Sequence, residues 1–357
     1  ANTISMSFLL DEQSTIVEQE ALHRIPTISA VWNEDVSPIA AFLHALNWGM
    51  ADGSPAPFRI TQMLIHLFNA VLVFLLCRSL LKKSETEAIP LAGGLLFAVH
   101  PLTTYVVTPL TERSELLATC FALLSLVLYV YAIRGERVSL AKYMLSIMVF
   151  GLAWSCGTWT LVLPLAIILF SFIRSGLSGG KRYAAYIGGF LLVAGMLVYQ
   201  RMALSEVPDY TISLEGLMPT FTNLLHVWGA WLIPGTGSFE LMYVYPAGVV
   251  IACVVPMVIQ RFPQGVVRNA SGIIVACFIL MSLGITHLRN ADWKDEEYFW
   301  TQALEECAEC YTPNAHLATL YKQKGDQVIA KLNGVPPTSS KLEEAKRYWK
   351  RAEGFYR

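Results

Sequence analysis

The apolar residues of this chain fall into blocks that are close in length to a membrane span. A helix needs about 20 predominantly apolar residues to cross a hydrocarbon core of about 30 Å. Because lipid cannot satisfy free backbone amides, such blocks are expected to be helical, and the predicted fold class is all-α. Two shorter apolar stretches, 38–50 and 220–234, are typical of interfacial or re-entrant helices. The full-length blocks predict eight spans, at 60–81, 90–108, 114–134, 140–156, 158–174, 183–203, 245–261 and 268–286.

The composition agrees with a membrane protein. Hydrophobic residues make up 54% of the chain and charged residues only 15%, whereas the charged share of soluble domains is usually about 25%. The formal net charge is -1, and no basic stripe interleaved with aromatic residues is present. Membrane lipids are therefore the expected surroundings, and nucleic acid is not an expected partner.

Basic residues are concentrated in alternate loops, which the positive-inside rule assigns to the cytoplasm. These loops are 78–83, 134–142, 174–182 and 261–268. The same rule predicts that residues 1–59, the 204–244 connection and the tail after 286 lie outside, in a periplasm or a lumen. An external N-terminal segment needs a preceding span to carry it across the membrane, so an upstream helix is expected.

The chain changes character at Asp292, where it becomes charged and amphipathic. Pro313 and Asn314 predict the start of a second tail helix and Gly325 its end, and a break at Asn333–Pro337 precedes a third. Such helices cannot bury their apolar faces alone, so they stack on further repeats, on the membrane domain or on a partner. The predicted domains are an external loop (1–59), a transmembrane domain (60–288) and an external helical tail (289–357).

The tail also carries Cys307 and Cys310, three positions apart. No second pair completes a zinc site and no histidine follows to indicate haem attachment, so no metal site or cofactor is assigned. A local disulfide and two free thiols are both compatible with the spacing.

Three segments resemble one family. They are LLFAVHPLTTYVVTPLTERSELLATCFALL (95–124), FRITQMLIHLFNAVLVFLL (58–76) and NADWKDEEYFWTQALEE (290–306). They are similar to the transmembrane O-mannosyltransferases with tetratricopeptide repeats and their bacterial relatives. The resemblance implies a GT-C glycosyltransferase fold, a sugar donor carried on polyprenyl phosphate, and tetratricopeptide-like helices on the external side.

The resemblance also implies a catalytic base. The acidic pair in the family's first external loop corresponds to Asp11 and Glu12, and a carboxylate there would accept the proton of the acceptor hydroxyl. Spacing alone favours two solvated loop acids. The family role of this pair is therefore a hypothesis that applies only if the protein is active.

Four further residues are candidates to bind the lipid phosphate. Arg59 and Arg113 are predicted near the external face, where a guanidinium pairs bidentately with phosphate. His66 and His100 are candidates beside them, although a histidine that faces a helix bundle more often forms interhelical hydrogen bonds. An active enzyme would also accommodate a divalent cation at the leaving phosphate.

The chain departs from the family pattern at several polar positions. The family's Tyr-Arg-Pro-Leu is replaced by the sequence Val36–Ile39, which loses the arginine at Ser37. The glutamate after His-Pro is replaced by Tyr105, and Ser-Lys-Glu is replaced by Ser155–Gly157. Charges inside a membrane are costly and are kept mainly where they function. Their loss favours a site that no longer performs the reaction.

Two hypotheses of function follow. The first is a catalytically degenerate protein that serves as a scaffold or accessory subunit and binds a protein partner on the external side. The alternative is an active glycosyltransferase that moves a sugar from polyprenyl phosphate to a protein or lipid acceptor. Aromatic residues often anchor protein interfaces. The predicted partner surface is accordingly rich in them: Trp300, Leu304, Leu317, Leu320, Tyr321, Tyr348 and Trp349.

Overall fold

All of the regular structure that the computed structural model describes is helical, which confirms the predicted all-α membrane protein. The described residues are 37–51, 53–81, 87–134, 137–168, 188–196 without 192, 244–262, 265–306 without 294, 311–331 and 339–355, with 3–4, 6–9, 12–19 and 23. Their helices are α1 (Pro38–Ala51), α2 (Ala56–Leu80), α3 (Ala88–Val99), α4 (Thr104–Val107), α5 (Arg113–Ile133), α6 (Leu140–Cys156), α7 (Val244–Arg261), α8 (Val266–Asp292), α9 (Glu296–Glu306), α10 (Tyr311–Ala330) and α11 (Ser339–Phe355).

Three described helices are long and apolar enough to cross a membrane. They are Ala56–Leu80, Leu110–Ile133 and Val266–Asp292, and they agree with the spans predicted at 60–81, 114–134 and 268–286. The described parts of 140–156, 158–174 and 245–261 form shorter apolar helices. Only 188–196 of the span predicted at 183–203 is described, and 220–234 lies outside the described residues.

The span predicted at 90–108 is interrupted. The structure ends α3 at Val99 and bends by 48° before the segment Pro101–Val107. Proline has no backbone N–H, and the residue before it is biased towards extended backbone. His100 is extended, with φ -69° and ψ 133°, and its Nδ1 accepts a hydrogen bond from Leu102 N at 3.3 Å. The unbroken helix in the prediction is therefore wrong at His100–Pro101.

Helix α5 is the centre of the membrane domain, and its side chains are buried along most of its length. It packs against α6 and α2. Between α5 and α6, the hydroxyls of Ser125 and Ser146 each donate to the backbone carbonyl of the other residue, at 2.7 and 2.8 Å. Small hydroxyl residues let two helices approach closely inside a membrane. Most side chains of α8, by contrast, are exposed on the protein surface.

Gly325 lies inside α10, which continues to Ala330. The prediction that Gly325 ends this helix is therefore wrong. A glycine that ends a helix usually adopts a left-handed conformation, but Gly325 serves a different purpose here. The indole ring of Trp349 on α11 lies directly against it, so that an added Cβ would overlap the ring. Gly325 permits close packing of α10 and α11.

The tail packs on its own chain. Its aromatic residues form one buried cluster with Met6 and Leu9 of the N-terminal segment. Of the three packing modes left open by the sequence, the structure therefore has the tail stacked on the rest of the chain. The tail members of the cluster are Trp293, Phe299, Trp300, Leu317, Leu320, Tyr321 and Ala352.

Candidate functional site

Arg113 is the centre of a buried polar cluster at the start of α5. It is fully buried, and it donates from Nε to Gln62 Oε1 (3.2 Å), from Nη1 to Asn47 Oδ1 (2.8 Å) and His44 Nδ1 (3.3 Å), and from Nη2 to Phe58 O (3.0 Å). Arginine only donates hydrogen bonds, so His44 Nδ1 accepts and the imidazole is neutral. Burial and then the charge of Arg113 hold the pKa of His44 well below its ordinary value.

Glu12 and Arg59 form a second buried group. Their ion pair measures 2.9 Å from Arg59 Nη2 to Glu12 Oε2, with side chains 2% and 0% exposed. Each carboxylate oxygen also accepts a backbone N–H, from Leu9 at 2.9 Å and from Leu110 at 2.8 Å. Burial raises the pKa of Glu12, and the charge of Arg59 with the two backbone hydrogen bonds opposes that rise. Glu12 therefore depends on Arg59 to stay ionised.

The two groups are joined through the turn that follows α4. Arg59 Nη1 donates to Thr108 O at 2.6 Å, and Gln62 Nε2 donates to Val106 O and Pro109 O, each at 3.1 Å. Polar residues at the start of α2 thus fix this turn, the N-terminal segment and the start of α5 in one network. Of the guanidinium nitrogens of Arg59, Nε is buried and has no hydrogen-bond partner in the described structure.

The two candidate histidines bind groups of their own chain. His66 Nε2 lies 3.0 Å from Ala98 O and its Nδ1 lies 2.7 Å from Tyr245 Oη. A carbonyl only accepts, so Nε2 carries the hydrogen and Nδ1 accepts from the tyrosine hydroxyl. Asn69 Nδ2 donates to the same hydroxyl oxygen at 3.1 Å. His66 therefore joins α2, α3 and α7. His100 is buried and caps the turn after the break in the span.

Two of the segments that depart from the family pattern, at Ser37 and at Ser155–Gly157, lie close together. Ser37 N donates to Ser114 Oγ at 3.2 Å, and Cys156 lies in a buried cluster with Ala40 and Ala118. Beside them, a Cβ added to Gly157 would lie 2.9 Å from Ala118 Cβ and 3.0 Å from the indole nitrogen of Trp159. Small side chains therefore fill the place that carries charges in the family pattern.

Tyr105, the third departure, lies at the junction with the tail. Its ring packs edge-on against Trp293 at 6.2 Å and tilted against Phe299 at 6.4 Å. The Arg289 guanidinium lies 5.0 Å from its ring centroid. An aromatic contact between the broken span and the first tail residues thus replaces the acid of the family pattern.

The predicted partner surface is only partly exposed. Trp300, Leu317, Leu320 and Tyr321 are buried in the tail cluster of their own chain, which corrects the prediction that they face a partner. Trp349 is 37% exposed, and its Nε1 donates to Asp326 Oδ1 at 3.0 Å. Leu304 and Tyr348 are half-buried against the same cluster. Contact with a partner stays a prediction for these three residues.

Glu297 organises the polar side of the tail. It accepts hydrogen bonds from the Tyr321 hydroxyl and from Lys324, and Arg351 lies 3.9 Å away. Partial burial alone would raise its pKa. The hydrogen bonds from Lys324 and Tyr321 and the positive charges of Lys324 and Arg351 outweigh that effect, so the pKa of Glu297 is lowered.

The structure does not cover every candidate. Asp11, Cys307 and Cys310 lie outside the described residues. Within the described ranges, no group of three or more His, Cys, Asp or Glu residues is placed to hold a metal ion. Sequence reasoning missed Tyr245, His44 and Asn47 as partners of the buried polar residues. The sequence did indicate that such partners exist, because buried charged or imidazole groups require hydrogen-bond partners.

Fold and site together define a polytopic helical membrane protein whose N-terminal segment is fixed to the starts of α2 and α5 by buried polar groups. No family model and no solved structure matches the chain. Protein O-mannosyl-transferase TMTC3 of Mus musculus is 25% identical over 142 residues, which are 36% of this chain and 15% of that protein. Protein O-mannosyl-transferase F38B6.6 of Caenorhabditis elegans is 28% identical over 132 residues, 37% and 18% of the two chains.

A third relative, human Protein O-mannosyl-transferase TMTC4, is 26% identical over 186 residues, which are 44% of this chain and 25% of that protein. The chain thus matches between 15% and 25% of the lengths of these curated relatives. It is a glycosyltransferase-like membrane protein and a divergent relative of the protein O-mannosyltransferases, as its motifs indicated.

Proposed function

We propose that this chain is a GT-C-like membrane protein that no longer transfers sugar and serves as a scaffold or accessory subunit. Its tail would act as tetratricopeptide-like helices that hold a protein partner on the external side. The observation that carries the proposal is the close packing of Gly157 against Ala118 and Trp159, beside the buried cluster that joins Cys156 to Ala40. Positions that bear charges in the family pattern are filled here by small, packed side chains.

The packing at Gly157 leaves no room for an acid in the observed arrangement. A first side-chain carbon there would already approach Ala118 and Trp159 to within 3.0 Å. The carboxylate of Glu115 accepts the indole N–H of Trp159 at 2.6 Å. A charge buried at such a place needs a partner of opposite charge. The family's arginine is also absent, since Ser37 stands at its position. The loss of both members of a charged set is expected where catalysis is no longer under selection.

The remaining charged candidates are engaged in holding the fold. A general base must direct a free lone pair at the proton that it removes. Both oxygens of Glu12 instead accept a backbone N–H and a guanidinium N–H. Arg113 binds four groups of its own chain, which leaves little of its guanidinium for a phosphate. In the active alternative, Asp11 would have to be the base.

A transfer assay separates the two functions. Purified full-length protein in mild detergent is given polyprenyl-phosphate mannose, a divalent cation and an acceptor peptide, with a curated relative assayed in parallel. We expect no transfer by this chain under conditions in which the relative is active. Transfer that disappears in Asp11→Asn would refute the degenerate site and establish the alternative.

The scaffold role requires a second measurement. Trp349→Ala removes the most exposed aromatic residue of the predicted partner surface, and Tyr298→Ala removes an exposed tyrosine from α9 as a matched control. We expect a partner that copurifies with the parent protein to be lost from Trp349→Ala and retained by Tyr298→Ala. A lone monomer in the parent preparation, or equal retention by both variants, would contradict the scaffold role.

A further inference from the structure

A groove of about 380 Å³ lies between α2, the broken span α3–α4 and α8, with Thr3 and Ile4 of the external loop at its edge. This volume falls within the range of about 300–1,000 Å³ that is usual for sites of small ligands. Ile60, Leu64 and Leu67 of α2 form an apolar wall and are exposed. The wall suits a hydrocarbon chain.

The other side of the groove is lined with hydroxyl groups. Thr103 donates to His100 O at 2.7 Å, Thr104 to Pro101 O at 2.6 Å and Thr286 to Val99 O at 2.7 Å. All three hydroxyls are engaged by backbone carbonyls around the break at His100–Pro101, where His100 O and Pro101 O also accept the backbone N–H groups of Thr103 and Thr104. A hydroxyl has one hydrogen and two lone pairs, so each of these threonines now offers only acceptor sites to a ligand.

One side chain supplies a donor. Thr108 Oγ1 donates to Asn290 Oδ1 at 3.4 Å, which leaves the Asn290 amide hydrogens directed elsewhere. No described group accepts a hydrogen bond from Asn290 Nδ2. The groove therefore offers several acceptors and one amide donor, a pattern that matches a hydroxyl group next to an ester or ether oxygen.

None of the groove-lining residues carries a charge. A phosphate group bound in this groove would lose its hydration and would find no positively charged side chain in the lining, which is strongly unfavourable. Arg59 and Arg113 are not in the lining, and their charges are engaged by Glu12 and by the polar cluster of α1 and α2. The electrostatics of the groove thus disfavour an anionic head group and favour a neutral one.

We propose that this groove binds a neutral lipid whose head carries a free hydroxyl group, of the diacylglycerol type. An acyl chain lies on the wall formed by α2, the hydroxyl donates to the oxygen of Thr104 or Thr286, and an ester oxygen accepts from Asn290. The site goes beyond the proposed scaffold function and does not depend on it, since sugar transfer and neutral-lipid binding are measured separately.

Binding is tested with two lipids that differ only in the head group. Full-length protein in detergent is titrated with dioleoylglycerol or dioleoyl phosphatidic acid, and bound lipid is quantified by native mass spectrometry. We expect dioleoylglycerol to bind about tenfold more tightly or better, because the phosphate finds no cation. Equal or tighter binding of phosphatidic acid would overturn the proposal.

Variants then locate the site. Dioleoylglycerol has one hydroxyl hydrogen, so whichever of Thr104→Val and Thr286→Val removes its acceptor should weaken binding about 3- to 10-fold. Thr119→Val is the matched control, since its hydroxyl is buried on α5 outside the groove. Leu64→Trp fills the groove from its apolar wall and should abolish binding. Unchanged binding in Leu64→Trp, or an equal loss in Thr119→Val, would refute the assignment.

Discussion

Replacement of Glu12 by Gln tests whether the buried ion pair fixes the external loop to the membrane domain. The carboxylate faces four N–H groups, from Leu9, Leu110 and the two terminal nitrogens of Arg59. In glutamine one of these oxygens becomes an NH2 group. That group is a hydrogen-bond donor and would face backbone and guanidinium N–H groups that are donors as well. Arg59, which is 2% exposed, loses its counterion at the same time.

The expected loss of stability is large because the ion pair is buried away from solvent. Removal of one partner from a buried ion pair costs about 3–5 kcal/mol, since the other charge remains buried and unpaired. The double variant Glu12→Gln with Arg59→Met removes both charges and gives up the bonds of Arg59 to Ser7 O and Thr108 O. We expect the double variant to lose less than the sum of the single variants by about 1–3 kcal/mol.

The assay is thermal unfolding in mild detergent, combined with limited proteolysis of residues 1–36. We expect Glu12→Gln to lower the melting temperature and to expose the loop to the protease before the spans unfold. Glu18→Gln, which changes an exposed acid of the same loop, serves as the control. Additive effects in the double variant, or a loop that stays protected in Glu12→Gln, would show that the ion pair does not anchor it.

Three further predictions concern the tail and the topology. Gly325→Ala should destabilise the tail by about 1–3 kcal/mol through overpacking against the indole ring, whereas Gly354→Ala, with open space around it, should not; equal melting temperatures would contradict this. The lowered pKa of Glu297 means that its stabilisation is present above the ordinary value of 4.5 and is lost as the pH falls through the lowered value; Glu297→Gln should show a smaller pH dependence of melting. Single cysteines at Lys142 and Gln327, in a background without other accessible cysteines, should react with a membrane-impermeant label from opposite sides, Gln327 from outside; swapped labelling would reverse the orientation.

The long spans could be predicted because hydropathy over about 20 residues is a local property. The segments 60–81, 114–134 and 268–286 correspond to helices in the structure. The interruption at His100–Pro101 could have been inferred from the proline, but a window average hides it. Gly325 shows the opposite error, since a local stop signal was overridden by the packing of Trp349 on the glycine.

The partners in the site could not be predicted, because they are remote in the sequence. Arg59 pairs with a residue 47 positions earlier, and His66 with Tyr245, 179 positions later. A buried arginine indicates only that some acceptor lies nearby. Which acceptor it is depends on how α1, α2 and the external loop meet, and that arrangement follows from the whole fold. The sequence therefore identified the polar residues, while the structure was needed to pair them.

The last prediction connects the ion pair with the groove. Arg59 holds Thr108 through the backbone carbonyl at 2.6 Å, and the hydroxyl of Thr108 binds Asn290 at 3.4 Å. Asn290 is the donor proposed for the lipid ester, so the Glu12–Arg59 pair and the lipid site share one turn. A shift of that turn should move the amide away from the groove. Coupling of this kind between neighbouring groups is typically about 0.5–3 kcal/mol.

Glu12→Gln should therefore weaken dioleoylglycerol binding about 3- to 30-fold although Glu12 does not line the groove. Ser125→Ala, which breaks a contact between α5 and α6 remote from the turn, controls for general loosening of the fold. The two variants are compared at a temperature at which both stay folded, by the same lipid titration. If Glu12→Gln binds the lipid as tightly as the parent while its loop becomes sensitive to protease, the turn does not transmit the change. Thr108 would then position the lipid site independently of the external loop.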